Sequence, residues 1–191
     1  AFSSSQVSQF TNEQIAALET DDIVALTPSQ MPAFSAAQLT SFTTGQVASL
    51  ETLDLRALTA YQIAELTAEQ LVALKSDQFL ALSTQQIASL NQTQIISLKT
   101  ADVAIIASNQ LRALTVTQVA GLTEPQVQAL TSDSVSLLAS SQISQLTASQ
   151  IGALESSDVR ALRTSQIRAL LPSQVATFST QQIVALSSDS I

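Results

Sequence analysis

A single eight-residue register runs through the whole chain. Stepping by eight from Gln6 lands on Gln14, Asp22, Gln30, Gln38 and so on to Gln182 and Ser190, with no insertion or deletion. The 24 landings are 18 Gln, four Asp (Asp22, Asp54, Asp102, Asp158) and two Ser (Ser134, Ser190). The residue after each landing is apolar, from Val7 to Ile191. A second step by eight, from Phe2 to Leu186, gives 18 Leu, five Phe and one Ile. The consensus is T-x-x-Q-I-x-A-L. A period this short, kept this strictly, requires each octad to fold like its neighbours and to pack on its own kind.

Capping chemistry gives the octad its structure. Ser or Thr followed three residues later by Gln is a capping box: the hydroxyl accepts from the third helical N–H, and the Gln side chain reaches back to the cap residue's own N–H. Each phrase therefore starts a helix. Ile and Leu, three apart, then share one side of it, and the small residue before Leu lets another backbone approach. Pro28 and Pro172 fall directly after the cap, where a missing N–H costs nothing. Pro125 is one further along, still in the first turn. Pro32 alone removes an internal hydrogen bond, so its octad should be distorted. In "ETDD" (19–22), "ETLD" (51–54), "KTAD" (99–102) and "ESSD" (155–158), Thr or Ser comes one place late and Asp replaces Gln. These read as octads whose cap is shifted by one, with Asp favoured by the helix dipole.

One long helix is excluded. An octad advances ~800° at 3.6 residues per turn, so an Ile/Leu stripe would drift ~80° per repeat and wind right round the helix. A β-solenoid is disfavoured by Gln, Ala and Leu and by the scarcity of glycine, three in all. Two-turn helices are unstable alone, so each must bury its Ile/Leu face on its neighbours. The expected fold is all-α: an α-solenoid of short capped helices, one per octad, about 24 repeats around a continuous Leu/Ile/Val core. Residues 1–191 read as a single array with no linker. A triangular coil of three ~12 Å edges leaves an inner radius of only ~3.5 Å for helices that pack 8–10 Å apart. Four helices per coil, or a zigzag of antiparallel pairs, fits better. Both ends of the sequence look like interior units. That makes the chain a piece of a longer array, or one whose ends are covered by other copies.

Composition narrows the function. The net charge is −8, and the seven Lys and Arg are scattered, so the basic footprint that nucleic acid needs is absent. No apolar run approaches the ~20 residues of a spanning helix. Only 12% of residues are charged, while Ser and Thr make up about a quarter of the chain. Such a polar, weakly charged surface tolerates side-by-side association. With no His and no Cys, the commonest general base and the commonest nucleophile pairings are missing. The carboxylates occupy variable surface positions or the capping position. Glu19, Asp21 and Asp22 cluster, but no calcium-loop pattern surrounds them. "NQT" (91–93) matches a glycosylation acceptor but sits in a cap phrase. No catalytic, cofactor-binding or metal-binding residue is expected, and no enzymatic activity.

The octads "TNEQIAAL" (11–18), "STQQIASL" (83–90), "TASQIGAL" (147–154) and "STQQIVAL" (179–186) resemble the T-T-x-Q-I-x-A-L arrays of very large proteobacterial surface or secreted proteins, which carry adhesin-like, haemagglutinin-like or haem-utilisation labels. The resemblance covers the whole chain and transfers no functional residue. It implies a bacterial, extracellular and mechanical setting. The expectation is a structural repeat segment, a rod or fibre that self-associates end to end or laterally. The alternative is a solenoid binding module that holds a protein or glycan, with Tyr61 and Phe79 breaking the pattern in bulk. Phe79, in place of the usual Ile, is expected in the core.

Overall fold

The computed structural model describes residues 2–186. It is all-helical: 22 α-helices of four to six residues and one 3-10 helix lie among the described residues, with no strand. The expectation of about 24 helical repeats is corrected by this count. Thr27–Gln30 form a turn and Met31–Ala33 a 3-10 helix, because Pro32 has no N–H to continue an α-helix. The last landing, Ser190, lies outside the described residues. Among the described residues no helix is long and apolar enough to cross a membrane.

Each helix opens from an extended N-cap residue. Thr67 is representative: φ −67°, ψ 160°, with its hydroxyl accepting from the Gln70 N–H at 3.2 Å. Pro172 and Pro125 occupy the first and second helical positions. Each helix then turns off at the closing residue. Leu66 has φ −59° and ψ 142°, and Leu138 nearly the same, −59° and 143°. No described residue has a positive φ, glycine included. The corner between octads is therefore built from backbone that any L-residue adopts.

The four Asp octads do not shift their caps. Their N-caps are Glu19, Glu51, Lys99 and Glu155, in register with every other octad, and Thr20, Thr52, Thr100 and Ser156 are the first helical residues. The local motif suggested a later hydroxyl cap, but packing of the apolar position sets the register. A one-residue shift would rotate Ile23, Leu55, Val103 or Val159 by about 100° out of the core.

The chain falls into two compact units, Ala1–Ser97 and Leu98–Ile191. In the first, helix Ala60–Glu65 packs on Thr84–Ser89, and Ala68–Ala73 on Gln92–Ser97. In the second, Ser132–Leu137 packs on Ser156–Ala161, and Thr100–Ala104 on Glu124–Ala129. In every case the partner is three octads along. The three-octad neighbour that simple edge lengths disfavoured is thus used. The core of each unit is made by the residue after the Gln and by the closing residue: Ile63, Leu66, Leu71, Leu74 and Phe79 in the first, Val135, Leu138, Ile143 and Ile151 in the second, all buried.

Since all octads are equivalent, deleting one whole octad, residues 83–90, should leave a cooperatively unfolding helical protein with Tm changed by a few degrees at most. Deleting only residues 83–86 puts every later Gln and Ile out of phase. Far-UV circular dichroism and urea titration should then show lost helix and a broadened transition.

Candidate functional site

The polar side chain that marks the register, the Gln at 18 of the 24 landings, is also among the most buried. Gln70 is 2% exposed, Gln94 1% and Gln166 0%. Its oxygen completes the capping box: Gln70 Oε1 accepts from the Thr67 N–H at 2.9 Å. Its amide nitrogen points the other way and donates to two carbonyls of an earlier octad, Leu39 at 2.8 Å and Phe42 at 2.7 Å. In the second unit, Gln166 accepts from the Arg163 N–H at 2.7 Å and donates to the Val135 and Leu138 carbonyls at 2.9 and 2.8 Å. Gln38, Gln46, Gln62, Gln78, Gln86, Gln94 and Gln174 repeat the pattern, always reaching back 31 and 28 residues. Both amide hydrogens and the oxygen are used. The orientation of the amide is fixed, since a flip would set donor against N–H and oxygen against carbonyl.

The rung lands on the octad four before its own, while helix faces meet at three. The chain therefore returns on itself after more than three and fewer than four octads.

The cap hydroxyl is dispensable where the rung is present. Lys75, Ala107, Ala139 and Leu171 provide no side-chain cap, yet their N–H groups still donate to Gln78, Gln110, Gln142 and Gln174. Asn91 of the "NQT" phrase acts as a cap, its Oδ1 accepting from the Gln94 N–H at 3.0 Å.

The four Asp positions differ from one another. Asp22, at the exposed end of the first unit, accepts from the Glu19 N–H. Asp158 accepts from the Glu155 N–H at 2.9 Å and from the Ser132 hydroxyl at 2.7 Å. Asp102 pairs with Lys99 at 3.2 Å. Asp54 is 1% exposed, and neither carboxylate oxygen has a hydrogen-bond partner. Burial pushes its carboxyl above the ordinary Asp range. The neighbouring Glu51 amide opposes that shift, and the Glu51 charge adds to it. By register Asp54 stands where a Gln would donate to the carbonyls of Ile23 and Leu26. An ionised carboxylate there is an acceptor facing acceptors.

The acidic cluster anticipated at Glu19, Asp21 and Asp22 is not assembled for a cation. Among the described residues no group of three His, Cys, Asp or Glu is placed to hold a metal. Phe79 is in the core at 1% exposure, and Tyr61 is 66% exposed.

A family model of the ALTTAQ repeat matches the chain four times, over residues 15–52, 47–84, 95–132 and 151–188, together well over half of its length. The chain belongs to the ALTTAQ-repeat family. The phrase is visible in "ALTPSQ" (25–30), "ALTAYQ" (57–62) and "ALSTQQ" (81–86). The four ALTTAQ matches begin a whole number of octads apart, so they share the register of the rungs. No curated protein matches the chain.

Sequence reasoning found the capping half of each ALTTAQ Gln and missed the rung half. A signal was available: a capping box accepts Glu as readily as Gln, yet Glu never occurs at the 24 landings. At 18 of the 24 landings a use for the amide's hydrogens accounts for Gln, while the four Asp octads do without them.

Gln70→Glu therefore preserves the cap contact and removes both donors. It should cost at least about 2–3 kcal/mol at pH 7, because a charged group is left buried against two carbonyls. Part of that loss should return on acidification, as the protonated acid regains one donor. Urea titrations at pH 7 and pH 4, with Gln70→Ala as reference, measure both.

Asp54→Gln is expected to stabilise the fold by about 1 kcal/mol or more by supplying the missing donor. The native Asp54 has a raised folded pKa, so its contribution is fully present below the ordinary Asp value and lost as pH rises through the folded value. The gain from Asp54→Gln should accordingly shrink at acid pH, which paired unfolding curves across pH 3–7 would show.

Proposed function

We propose that this ALTTAQ array is a structural element: an α-solenoid segment of a bacterial cell-surface or secreted protein, whose task is to add length and to associate with copies of itself. One observation carries the reading. The recurrent hydroxyls and amides, which are the groups that could serve a reaction, are engaged as caps and rungs in octad after octad, so the sequence's main regularity serves the backbone. The reading is non-enzymatic for that reason. The weakly charged Ser/Thr/Gln surface supports self-association, and the resemblance of the octads to arrays in large surface proteins supports the setting.

A second reading, a solenoid whose flank holds a protein or glycan, is favoured by Leu53 and Tyr61. They stand at the same place in consecutive octads and are 61% and 66% exposed.

Light scattering over a concentration series separates the two. Weight-average mass should climb from the 20.1 kDa of one chain through open-ended multiples as concentration rises. A mass fixed at one chain would remove self-association and turn attention to the flank bearing Leu53 and Tyr61.

A further inference from the structure

Three of the four Asp octads have an octad four places before them, and they treat their carboxylate differently. Asp102 has the Lys99 ammonium at 3.2 Å, from the cap residue of its own octad. Asp158 has the Ser132 hydroxyl at 2.7 Å, 26 residues back. For Asp54 the cap residue is Glu51, and the residue 26 places back is Pro28, which offers no charge, no hydroxyl and no N–H. Arg56, the one cation of octad 51–58, makes no ion pair with either carboxylate. Both Asp54 oxygens are left without a hydrogen-bond partner at 1% exposure. That is strongly unfavourable for a buried charge unless a positive charge compensates it.

Elsewhere the fold seats a cation in the same place. Arg163 is a cap residue, and its guanidinium Nη2 donates at 3.0 Å to the carbonyl of Leu138, 25 residues back, which closes the octad four earlier. Lys99 is also a cap residue and turns its ammonium on Asp102. Positive charge thus sits twice among a cap side chain, the residue three after it and the closing carbonyl four octads before. In octad 51–58 the corresponding groups are the Glu51 carboxylate, the Asp54 carboxylate and the Leu26 carbonyl, all of them oxygen and two of them negative. The Leu26 carbonyl accepts no hydrogen bond among the described residues. The Glu51 charge is close enough to push the Asp54 carboxyl up, so the two acids act on one space. Glu51 is exposed and opens that space to solvent on one side.

We propose that octad 51–58 binds one calcium ion, held by the Asp54 and Glu51 carboxylates and the Leu26 carbonyl, in the place that a cationic side chain takes in the octads of Lys99 and Arg163. Calcium takes about six to eight oxygen ligands in loose geometry, and carboxylates, main-chain carbonyls and water serve together. Magnesium demands a tighter octahedron and gives up its water reluctantly. A monovalent ion leaves one of the two negative charges uncompensated. The bound ion joins octad 51–58 to octad 19–26, as the rung joins other pairs of octads. With so few protein ligands its Kd falls at the weak end of calcium sites, about 10⁻³ M. The proposal goes beyond the structural reading above and does not depend on self-association.

The test follows urea unfolding of the full chain at pH 7, first with chelator and then with calcium chloride at constant ionic strength. At about 10 mM, calcium should raise the folding equilibrium constant about tenfold, and the same concentration of magnesium much less. Calorimetric titration should count one ion per chain. Two variants remove the site by different means. Asp54→Gln supplies the rung donor, and Glu51→Lys copies the Lys99–Asp102 pair. Each should be folded by circular dichroism, be at least as stable in chelator as the unmodified chain, and lose the calcium response. Asp21→Asn, in the neighbouring acidic cluster, should keep it. An unmodified chain indifferent to calcium overturns the proposal, as does a response that magnesium matches or that survives in both variants. Loss of the response in Asp21→Asn moves the ion to residues 19–22 and also overturns it. If stability in chelator rises as the pH is lowered from 7 to 5 and calcium does nothing, a proton neutralises Asp54 and the proposal fails.

Discussion

Everything in this molecule depends on a primary amide placed so that its two ends face different neighbours. The Gln oxygen is spent inside its own octad on an N–H that helix geometry leaves unpaired. The Gln nitrogen is spent on two carbonyls of an octad four places earlier: that of the closing residue, and that of the residue after the Gln, which also accepts from the closing residue's N–H. A helix of five or six residues has hardly any internal hydrogen bonds, so nearly all of its backbone is terminus. The Gln is the device that makes such a helix affordable: one side chain services both kinds of orphan group. Burial of Ile and Leu supplies cohesion, but cohesion without direction. The rung fixes which octad lies over which.

The dependence shows where the pattern lapses. Lys75 and Leu171 lack the hydroxyl cap without losing the helix, because the rung remains. Asp54 keeps the helix and the apolar register but abandons two carbonyls and gains two unsatisfied oxygens of its own. Pro32 disturbs the backbone itself, yet Gln30 still accepts from the Thr27 N–H at 2.7 Å and donates to the Phe2 carbonyl at 2.6 Å. The amide outlasts the cap hydroxyl and the α-helix in these octads, while only the apolar positions are kept at all 24.

Much of this was legible in the residues and some was not. The helix starts, the core positions and the distorted octad at Pro32 follow from local rules: capping, apolar spacing and the missing proline N–H. The placement of the caps at Glu19, Glu51, Lys99 and Glu155 went against the local rule, since a hydroxyl one place later looked like the better cap. Packing of the following Ile, Leu or Val overrode it. The destination of the Gln nitrogen was out of reach for another reason. It depends on how many octads separate a residue from the one beneath it, and an exact repeat carries no mark of that number, because every octad offers the same pair of carbonyls. The preference for Gln at 18 of the 24 landings pointed to a use for its donor, though not to where it would go.

The corner between octads has a longer reach than its size suggests. Leu66 and Leu138 turn the chain with ordinary extended backbone, and no glycine or asparagine is required to do it. Each octad thus commits its cap, its Gln, its following apolar residue and its closing Leu, and leaves the outward-facing places free of any conformational duty. Those places can change charge, bulk or polarity one at a time while the backbone stays indifferent. In evolutionary terms the chain is a fixed frame with an editable face, able to acquire new surfaces faster than it could acquire a new fold.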